Sequence, residues 1–506
     1  MRNICHILLQ PAGIELTTEK GAKLRDILFD QGVEFPCGGQ GKCKGCKIRV
    51  TRGALPVTPE DLDAFSEQEL KEGWRLACKA QVTEGITLEL RNWQTSILTN
   101  EADFKFTPQE GYGVAVDLGT TTLALQLLDL QNGGILAVRT ALNPQARFGS
   151  DVMSRVQYAM EGDGAKELTE TIRTQILHMV RESLDSAHIP PNELRRITLV
   201  GNTVMHHLFC GVDVEPLSHY PFESPNDGMM TFTPRELDWQ GIGEPRIQFL
   251  PGLGSFVGSD ILAGVLATNL FQSEKPVGLV DLGTNGEIVI GDKNRLICAS
   301  TAAGPAFEGA KISMGMRAST GAIWKVSPLA DGFDCEVIGN EKPRGICGSG
   351  LVDAVAAALE NGKIKPTGRF AEKVDSILLK NPVRLTQTDI RQLQLAKGAI
   401  AAGVRILLER WGAKLEDLDC LYLAGAFGNY INRGSARRIG LIQVPLEKVE
   451  PVGNSALLGA KMALFTNDLA EETFRDIRAK TTHFSLNEDP EFQDIFVEEM
   501  SFPAGK

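Results

Sequence analysis

The chain has 506 residues, 43% hydrophobic and 23% charged, and its 64 acidic residues outnumber 52 basic ones for a net charge of −12. That balance argues against a nucleic-acid partner, which needs a basic face to displace counterions from phosphate; the length suits about three or four domains. The apolar run in MRNICHILLQPAG is too short for a signal peptide or anchor, and no stretch approaches the roughly 18 apolar residues of a membrane span. The expected location is therefore the cytoplasm, with no membrane partner, where thiols stay reduced and ten cysteines are not a disulfide framework.

Residues 3–9 and 13–18 read as a hairpin with Cys5 in its core, and GAKLRDILFDQG as a short amphipathic helix. The helix leads into CGGQGKCKGC, which places Cys37, Cys43 and Cys46 on one loop; the next cysteine is Cys78, in GWRLACKAQV. Three thiols on a loop with a fourth from afar suit a tetrahedral zinc site or a [2Fe–2S] cluster. Zinc fits less well, because such sites usually use two C-x2-C knuckles and only one is present. Gly38, Gly39, Gly41 and Gly45 can take positive φ and bring backbone N–H groups close to cluster sulfurs. Lys42, Lys44, Lys47 and Arg49 crowd the loop, either compensating a negative cluster, the simpler reading, or forming a docking patch for an acidic partner. ITLEL at 86–90 adds a late strand. This order of elements resembles the β-grasp ferredoxins, and the five residues between the first two cysteines are similar to the adrenodoxin-like branch.

A polar stretch, QTSILTNEADFKFTPQEGYG, reads as a linker. GVAVDLGTTTLALQLLDL (113–130) follows: a buried strand ending in Asp117, then Gly119, Thr120, Thr121 and Thr122, then a second strand. Such a hairpin offers amides and hydroxyls to phosphate oxygens, with an aspartate placed for Mg2+. In VGNTVMHHLFCGVD (200–213) a strand enters a helix; neighbouring helix positions point to different faces, so His206 and His207 are not expected to share a metal. GSFVGSDILAGVLATNL (254–270) opens a helix where Asp260 either caps or faces a nucleotide.

VGLVDLGTNGEIVIGD (277–292) repeats the first hairpin with Asp281, Gly283, Thr284, Asn285 and Gly286, which points to an internal duplication. Glu287 follows it into a strand and can face cleft or core. TAAGPAFEGAKIS (301–313), with Glu308, reads as irregular and exposed. GICGSGLVDAVAAALE (345–360) opens a helix whose glycines serve either phosphate contact or close packing. Cys298 and Cys347 have no companion at metal spacing. In LYLAGAFGNYIN (421–432) a strand meets small residues that let a nucleoside approach the backbone.

Two phosphate hairpins followed by a small-residue loop resemble the acetate and sugar kinase/Hsp70/actin superfamily. The fold class is thus an α+β β-grasp ferredoxin-like domain followed by an α/β two-lobed actin-like (ribonuclease H-like) ATPase core. The expected boundaries are 1–95 for the ferredoxin-like domain, 96–111 for the linker, 112–275 and 276–484 for the two ATPase lobes, and 485–506 for a C-terminal tail. With NPQARFGSDVMSR (143–155), VGNTVMHHL, DLGTNGE, AAGPAFEGA, GICGSGLVD and LAGAFGNYIN, nearly the whole chain resembles the reductive activators of corrinoid proteins.

That resemblance implies an ATP-hydrolysing electron donor that returns a Co(II) corrinoid protein to Co(I) in a methyl-transfer system of anaerobic metabolism. Cys37, Cys43, Cys46 and Cys78 would ligate a [2Fe–2S] cluster. Asp117 and Asp281 would hold Mg2+ or orient the attacking water, with Glu287 as a third acidic candidate. Gly119 to Thr122 and Gly283 to Gly286 would cradle the ATP phosphates, and Gly425, Ala426, Phe427, Gly428 and Asn429 would line the adenosine site. Partners would be a corrinoid protein and an upstream electron donor. A homodimer is compatible with the resemblance, although the segment before the first hairpin is shorter than in some relatives. Moving one electron uphill by about 59 mV costs a factor of about ten, so a ferredoxin alone is insufficient and nucleotide-driven closure of the lobes would give the transfer direction. A small-molecule kinase or an Hsp70-like ATPase with a redox-sensing domain is the alternative; the latter lacks a β-rich peptide-binding domain after the core.

Overall fold

Alternation of apolar and polar residues in β1 (Ile4–Gln10) turns Cys5, Ile7 and Leu9 inward, as period-two burial demands. The structure, a computed structural model, describes residues 4–10, 14–30, 46–89, 106–149, 151–283, 285–309, 311–316, 318, 321–465 and 469–504. β1 pairs antiparallel with β2 (Ile14–Glu19) and parallel with β5 (Ile86–Glu89). β3 (Lys47–Arg52) and β4 (Trp74–Leu76) complete a sheet of order β2-β1-β5-β3-β4. Leu24 and Leu28, one turn apart on helix Leu24–Asp30, are fully buried with the sheet's inner face. Each such side chain contributes about 1.5 to 3 kcal/mol. This is the expected β-grasp core.

Two compact units make up the chain, one of Met1–Ala267 with Ser455–Ala479, the other of Thr268–Asn454 with Lys480–Lys506. Besides the β-grasp sheet, the first holds β6 (Tyr112–Leu118), β7 (Thr122–Asp129), β8 (Ile135–Leu142), β9 (Leu194–Gly201), β10 (Met230–Phe232) and β11 (Arg246–Phe249). Their order is β10-β11-β9-β6-β7-β8. The stripe Leu168, Ile172, Ile176 and Val180 of helix Gly164–Ala187 is buried with that sheet's core.

The second unit holds β12 (Val277–Leu282), β13 (Gly286–Gly291), β14 (Leu296–Thr301), β15 (Ala322–Pro328), β16 (Phe333–Val337), β17 (Gly345–Ile346), β18 (Ser376–Lys380), β19 (Val383–Thr386), β20 (Leu421–Ala424), β21 (Val449–Gly453) and β22 (Thr481–His483). Its main sheet runs β21-β20-β12-β13-β14-β22. In both main sheets the first three strands form an antiparallel meander, the next lies parallel to the first, and another parallel strand follows outside it. The duplication suggested by two D-L-G-T hairpins is thus present in the topology. Among the described residues no helix is long and apolar enough to cross a membrane.

The chain departs from the expected boundaries in three places. Residues 455–479, expected in the second lobe, belong to the first unit. Gly459 lies so close to the Ala263 carbonyl that a Cβ would clash, which lets helix Ser455–Leu464 cross helix Ser259–Ala267 at backbone contact. The expected tail forms helix Phe492–Met500, whose end is bound by helix Gln387–Trp411: Lys397 Nζ donates to Ser501 O at 2.8 Å and Gln394 Nε2 to Met500 O at 2.9 Å. The end of the expected linker is also anchored, with Phe106 4.5 Å from Phe465 between ring centroids and Gln109 N donating to Leu130 O at 2.9 Å.

Candidate functional site

In the β-grasp sheet, Cys46 immediately precedes β3 and Cys78 follows β4 by two residues. β3 and β4 pair antiparallel with Lys47 opposite Leu76, and Ala77 N donates to Cys46 O at 3.0 Å. The two cysteines are therefore brought together by one end of a ladder, and both are buried, at 2% and 8% exposure. Cys37 and Cys43 lie outside the described residues. Two buried thiols on adjoining segments, with no disulfide between them, fit half of a four-thiolate cluster site.

The segment bearing Cys78 is held by a buried acid. Asp61 closes a capping box with Thr58 at the start of helix Pro59–Ala64, accepting Thr58 N at 2.8 Å on Oδ2, while its Oδ1 accepts Leu76 N at 2.7 Å. Of the basic residues near the loop, Lys47 lies over the Trp74 ring at 5.4 Å, and Arg49 donates to Glu72 O at 3.1 Å. These contacts favour local structure over a free docking patch for both; Lys42 and Lys44 lie outside the described residues.

In the first unit's main sheet, Leu118 pairs with Leu123, leaving Gly119–Thr122 as the hairpin loop, and Gly119 N donates to Thr122 O at 3.1 Å. A Cβ on Gly119 would sit 2.5 Å from that oxygen, so only glycine closes the loop. Asp117 is half-buried at the end of β6. Sequence reasoning missed three residues that grip this loop: Asn143, Arg155 and Asn202. Asn143 Nδ2 donates to Gly119 O at 2.9 Å, Arg155 Nη2 to Thr120 O at 2.6 Å, and Asn202 Nδ2 to Thr120 Oγ1 at 2.9 Å. All three lie inside the motifs NPQARFGSDVMSR and VGNTVMHHL, whose buried polar residues were the available signal.

In the second unit, Leu282 pairs with Gly286, so the loop is 283–285, one residue shorter than in the first hairpin. Thr284 lies outside the described residues; Gly283 N donates to Asn285 O at 3.1 Å. Asp281 stands directly opposite Glu287 on β13 and beside Ala424 on β20. Opposed residues of an antiparallel pair share a face, so Glu287 projects on the side of Asp281, buried at 7% exposure with Ser300 Oγ 3.4 Å from its Oε1. Gly425 follows β20 at φ +83°, and a Cβ there would lie 2.6 Å from Asp281 Oδ1. The acid of the second hairpin and the glycine opening the small-residue helix Gly425–Tyr430 therefore occupy one place. Phe427 of that helix stacks on Phe307 with centroids 4.7 Å apart.

Other sequence candidates resolve as structure. Far from being an exposed loop, 301–313 contributes Ala303, Ala306, Phe307 and Ile312 to the core. Cβ atoms on Gly348 or Gly350 would strike the carbonyls of Phe307 or Ile323, so these glycines serve close packing. Burial pushes the Cys298 thiol up to about 12 and raises that of Cys347. Although neighbouring helix positions diverge, the His206 and His207 rings meet at Nδ1···Nδ1 3.3 Å; burial first, then His207, depresses His206 to about 4 and keeps it neutral. Among the described residues no group of three His, Cys, Asp or Glu is placed to hold a metal. Asp260 accepts Ile261 N at 2.9 Å in the first turn of its helix.

Comparison with known proteins places these features in a lineage. Residues 276–506 match the C-terminal ASKHA domain of RACo, residues 112–273 the RACo middle region, and residues 7–83 the 2Fe-2S iron-sulfur cluster binding domain. The chain is 35% identical over 421 residues to the corrinoid activation enzyme RamQ of Eubacterium limosum, covering 76% of this chain and 69% of that one. It is 28% identical over 430 residues to the [Co(II) methylated amine-specific corrinoid protein] reductase of Methanosarcina barkeri, covering 77% of each. A solved structure of a reductive activator for corrinoid, iron-sulfur protein matches at TM-score 0.69 and 27% identity, covering 99% of this chain and 98% of that one.

Proposed function

This chain belongs to the RACo family, and from that premise we propose that it uses ATP to drive one electron from a [2Fe–2S] cluster onto a corrinoid protein, returning Co(II) to Co(I). The observation that carries the reading is the joining, in one chain, of the β-grasp core bearing Cys46 and Cys78 to two duplicated sheets with D-L-G-T hairpins. Cys37, Cys43, Cys46 and Cys78 hold the cluster, which when bound supplies a one-electron couple. Asp61 fixes the backbone ahead of Cys78, and the buried setting of Cys46 and Cys78 keeps water from that side of the site.

Gly119–Thr122 and Gly283–Gly286 bind the phosphates of Mg-ATP, Gly425–Asn429 the adenosine. Asp117 and Asp281 hold Mg2+ directly or through water, or orient the attacking water. Glu287, opposite Asp281, adds a second carboxylate on that face; like charges so opposed cost stability unless a proton or cation intervenes. Hydrolysis of ATP to ADP and phosphate would make the uphill transfer directional; Cys37, Cys43, Cys46 and Cys78 would hold a group able to give up one electron per Co(I) formed, with the electron resupplied by an upstream donor. The protein works in the cytoplasm.

The test is anaerobic protein with a reductant, a Co(II) corrinoid protein and Mg-ATP, followed by cobalt absorbance. Co(I) accumulates with ATP, and mostly Co(II) remains without it. Phosphoryl transfer to a small metabolite, with no cobalt reduction under any ATP condition, would favour the kinase reading and end this one.

A further inference from the structure

NPQARFGSDVMSR and VGNTVMHHL carry much of the family resemblance yet have no assigned task. Both converge on the loop of the first hairpin. Every carbonyl of that loop is taken up within the protein: Gly119 O by Asn143 Nδ2 at 2.9 Å, Thr120 O by Arg155 Nη2 at 2.6 Å, Thr121 O by Asn143 N at 2.9 Å, and Thr122 O by Gly119 N at 3.1 Å. Asn202 fixes the Thr120 hydroxyl as well. The holders are themselves fixed. Gln145 N donates to Asn143 Oδ1 at 3.0 Å, and Arg155 donates to Gln145 Oε1 at 3.2 Å and to Gly149 O at 3.0 Å.

Arg155 is fully buried, and its hydrogen-bond acceptors are neutral: three carbonyl-type oxygens and the sulfur of Met205. Burial lowers its pKa to about 10, while the charge of Asp151 favours the cation, so the guanidinium stays charged at neutral pH. A buried cation hydrogen-bonded only to neutral groups, with the charge of Asp151 offsetting part of its burial, gains from further opposite charge. Here it sits one carbonyl behind a loop that bears the signature of a phosphate binder.

We propose that Arg155 and Asn143 are positioning residues for the triphosphate: they turn the carbonyls of Gly119, Thr120 and Thr121 into the protein, and Arg155 backs the loop with positive charge. A carbonyl facing a phosphate oxygen repels it, whereas amides and hydroxyls attract it. The inference rests on the ATPase reading above.

Full-length wild type, Arg155→Lys, Arg155→Gln and Asn143→Asp are titrated with Mg-AMPPNP, with thermal midpoints recorded without nucleotide. A lost charge-assisted contact corresponds to about a tenfold to hundredfold change. Arg155→Gln and Asn143→Asp are therefore expected to weaken binding by that factor, and Arg155→Lys, keeping the charge, to recover part of it. A merely structural role would lower the midpoints and leave the affinity of the folded variants within about twofold of wild type; that result overturns the proposal. If Arg155→Gln does not fold, the isosteric Asn143→Asp decides by the same criterion. Failure of the wild type to bind Mg-AMPPNP would instead overturn the ATPase reading, and this inference with it.

Discussion

The Asp61 carboxylate accepts the amide of Leu76 at 2.7 Å, and Leu76 stands two residues before Cys78. A helix cap has thereby been recruited to fix one edge of the proposed cluster site. Asp61→Ala orphans a buried amide at about 1 to 3 kcal/mol and removes a cap contact worth about 1 kcal/mol. The variant should show reduced iron content and a lower thermal midpoint for loss of visible absorbance, while Asp61→Asn, which keeps an acceptor, falls between. Full iron occupancy with an unchanged midpoint in Asp61→Ala would separate this acid from the cluster.

Gly425→Ala should suppress ATP hydrolysis. A non-glycine residue in the left-handed region costs roughly 1 to 2 kcal/mol, and the new methyl would meet Asp281 Oδ1. Displacing or neutralising that carboxylate, the latter by Asp281→Asn, is expected to lower kcat on the order of a hundredfold. Iron content should be unaffected. Hydrolysis near the wild-type rate in Asp281→Asn would make the acid structural.

Asp353, buried in helix Gly348–Glu360, is raised to about 6, first by burial; hydrogen bonds from Ser435 and Val326 and the charge of Lys325 oppose that, and Glu336 adds to it. Its folded pKa lies above the unfolded one, so this contribution to stability is full below about pH 4 and is lost as pH rises through 6. The cost above that window is on the order of 2 to 3 kcal/mol. Asp353→Asn should therefore raise the denaturation midpoint at pH 8 and leave it nearly unchanged at about pH 3.5, below both pKa values. Equal effects at both pH values would show that Asp353 does not titrate in this window.

Removing residues 490–506 should destabilise the second unit. Ile495 and Phe502 are buried in its core, and losing each costs about 1.5 to 3 kcal/mol. Lys397, 1% exposed, would lose its Ser501 acceptor. Burial depresses this amine to about 8, and the Glu499 carboxylate that opposes the shift would be lost with the same segment. A lowered midpoint for the ATPase part, with the cluster's visible absorbance retained, is the expected outcome; an unchanged unfolding curve would mark the segment as dispensable.

How much was legible followed from how local each signal is. Cys46 and Cys78 stand out as candidate ligands because thiol spacing reflects cluster geometry, and the D-L-G-T hairpins were legible because each turn is made within a few residues. Glu287 stayed ambiguous until pairing fixed its partner, since strand register is a property of two segments. Asn143 and Arg155 were hidden for the same reason: Arg155 reaches Thr120 across 35 positions of chain. Helix Ser455–Leu464 gave no hint of its unit, because SALLGAKMAL packs equally well in either core on pattern alone.

The return of residues 455–479 to the first unit has a consequence for how the protein is made and taken apart. The chain passes between its units at 267/268, again at 454/455 and a third time at 479/480. A ribosome must have released nearly the whole polypeptide before helix Ser455–Leu464 can seal the first unit, and the second waits longer still for residues 480–506. A single protease nick at any one junction leaves two other covalent crossings; the fragments should migrate together under native conditions and part only in denaturant.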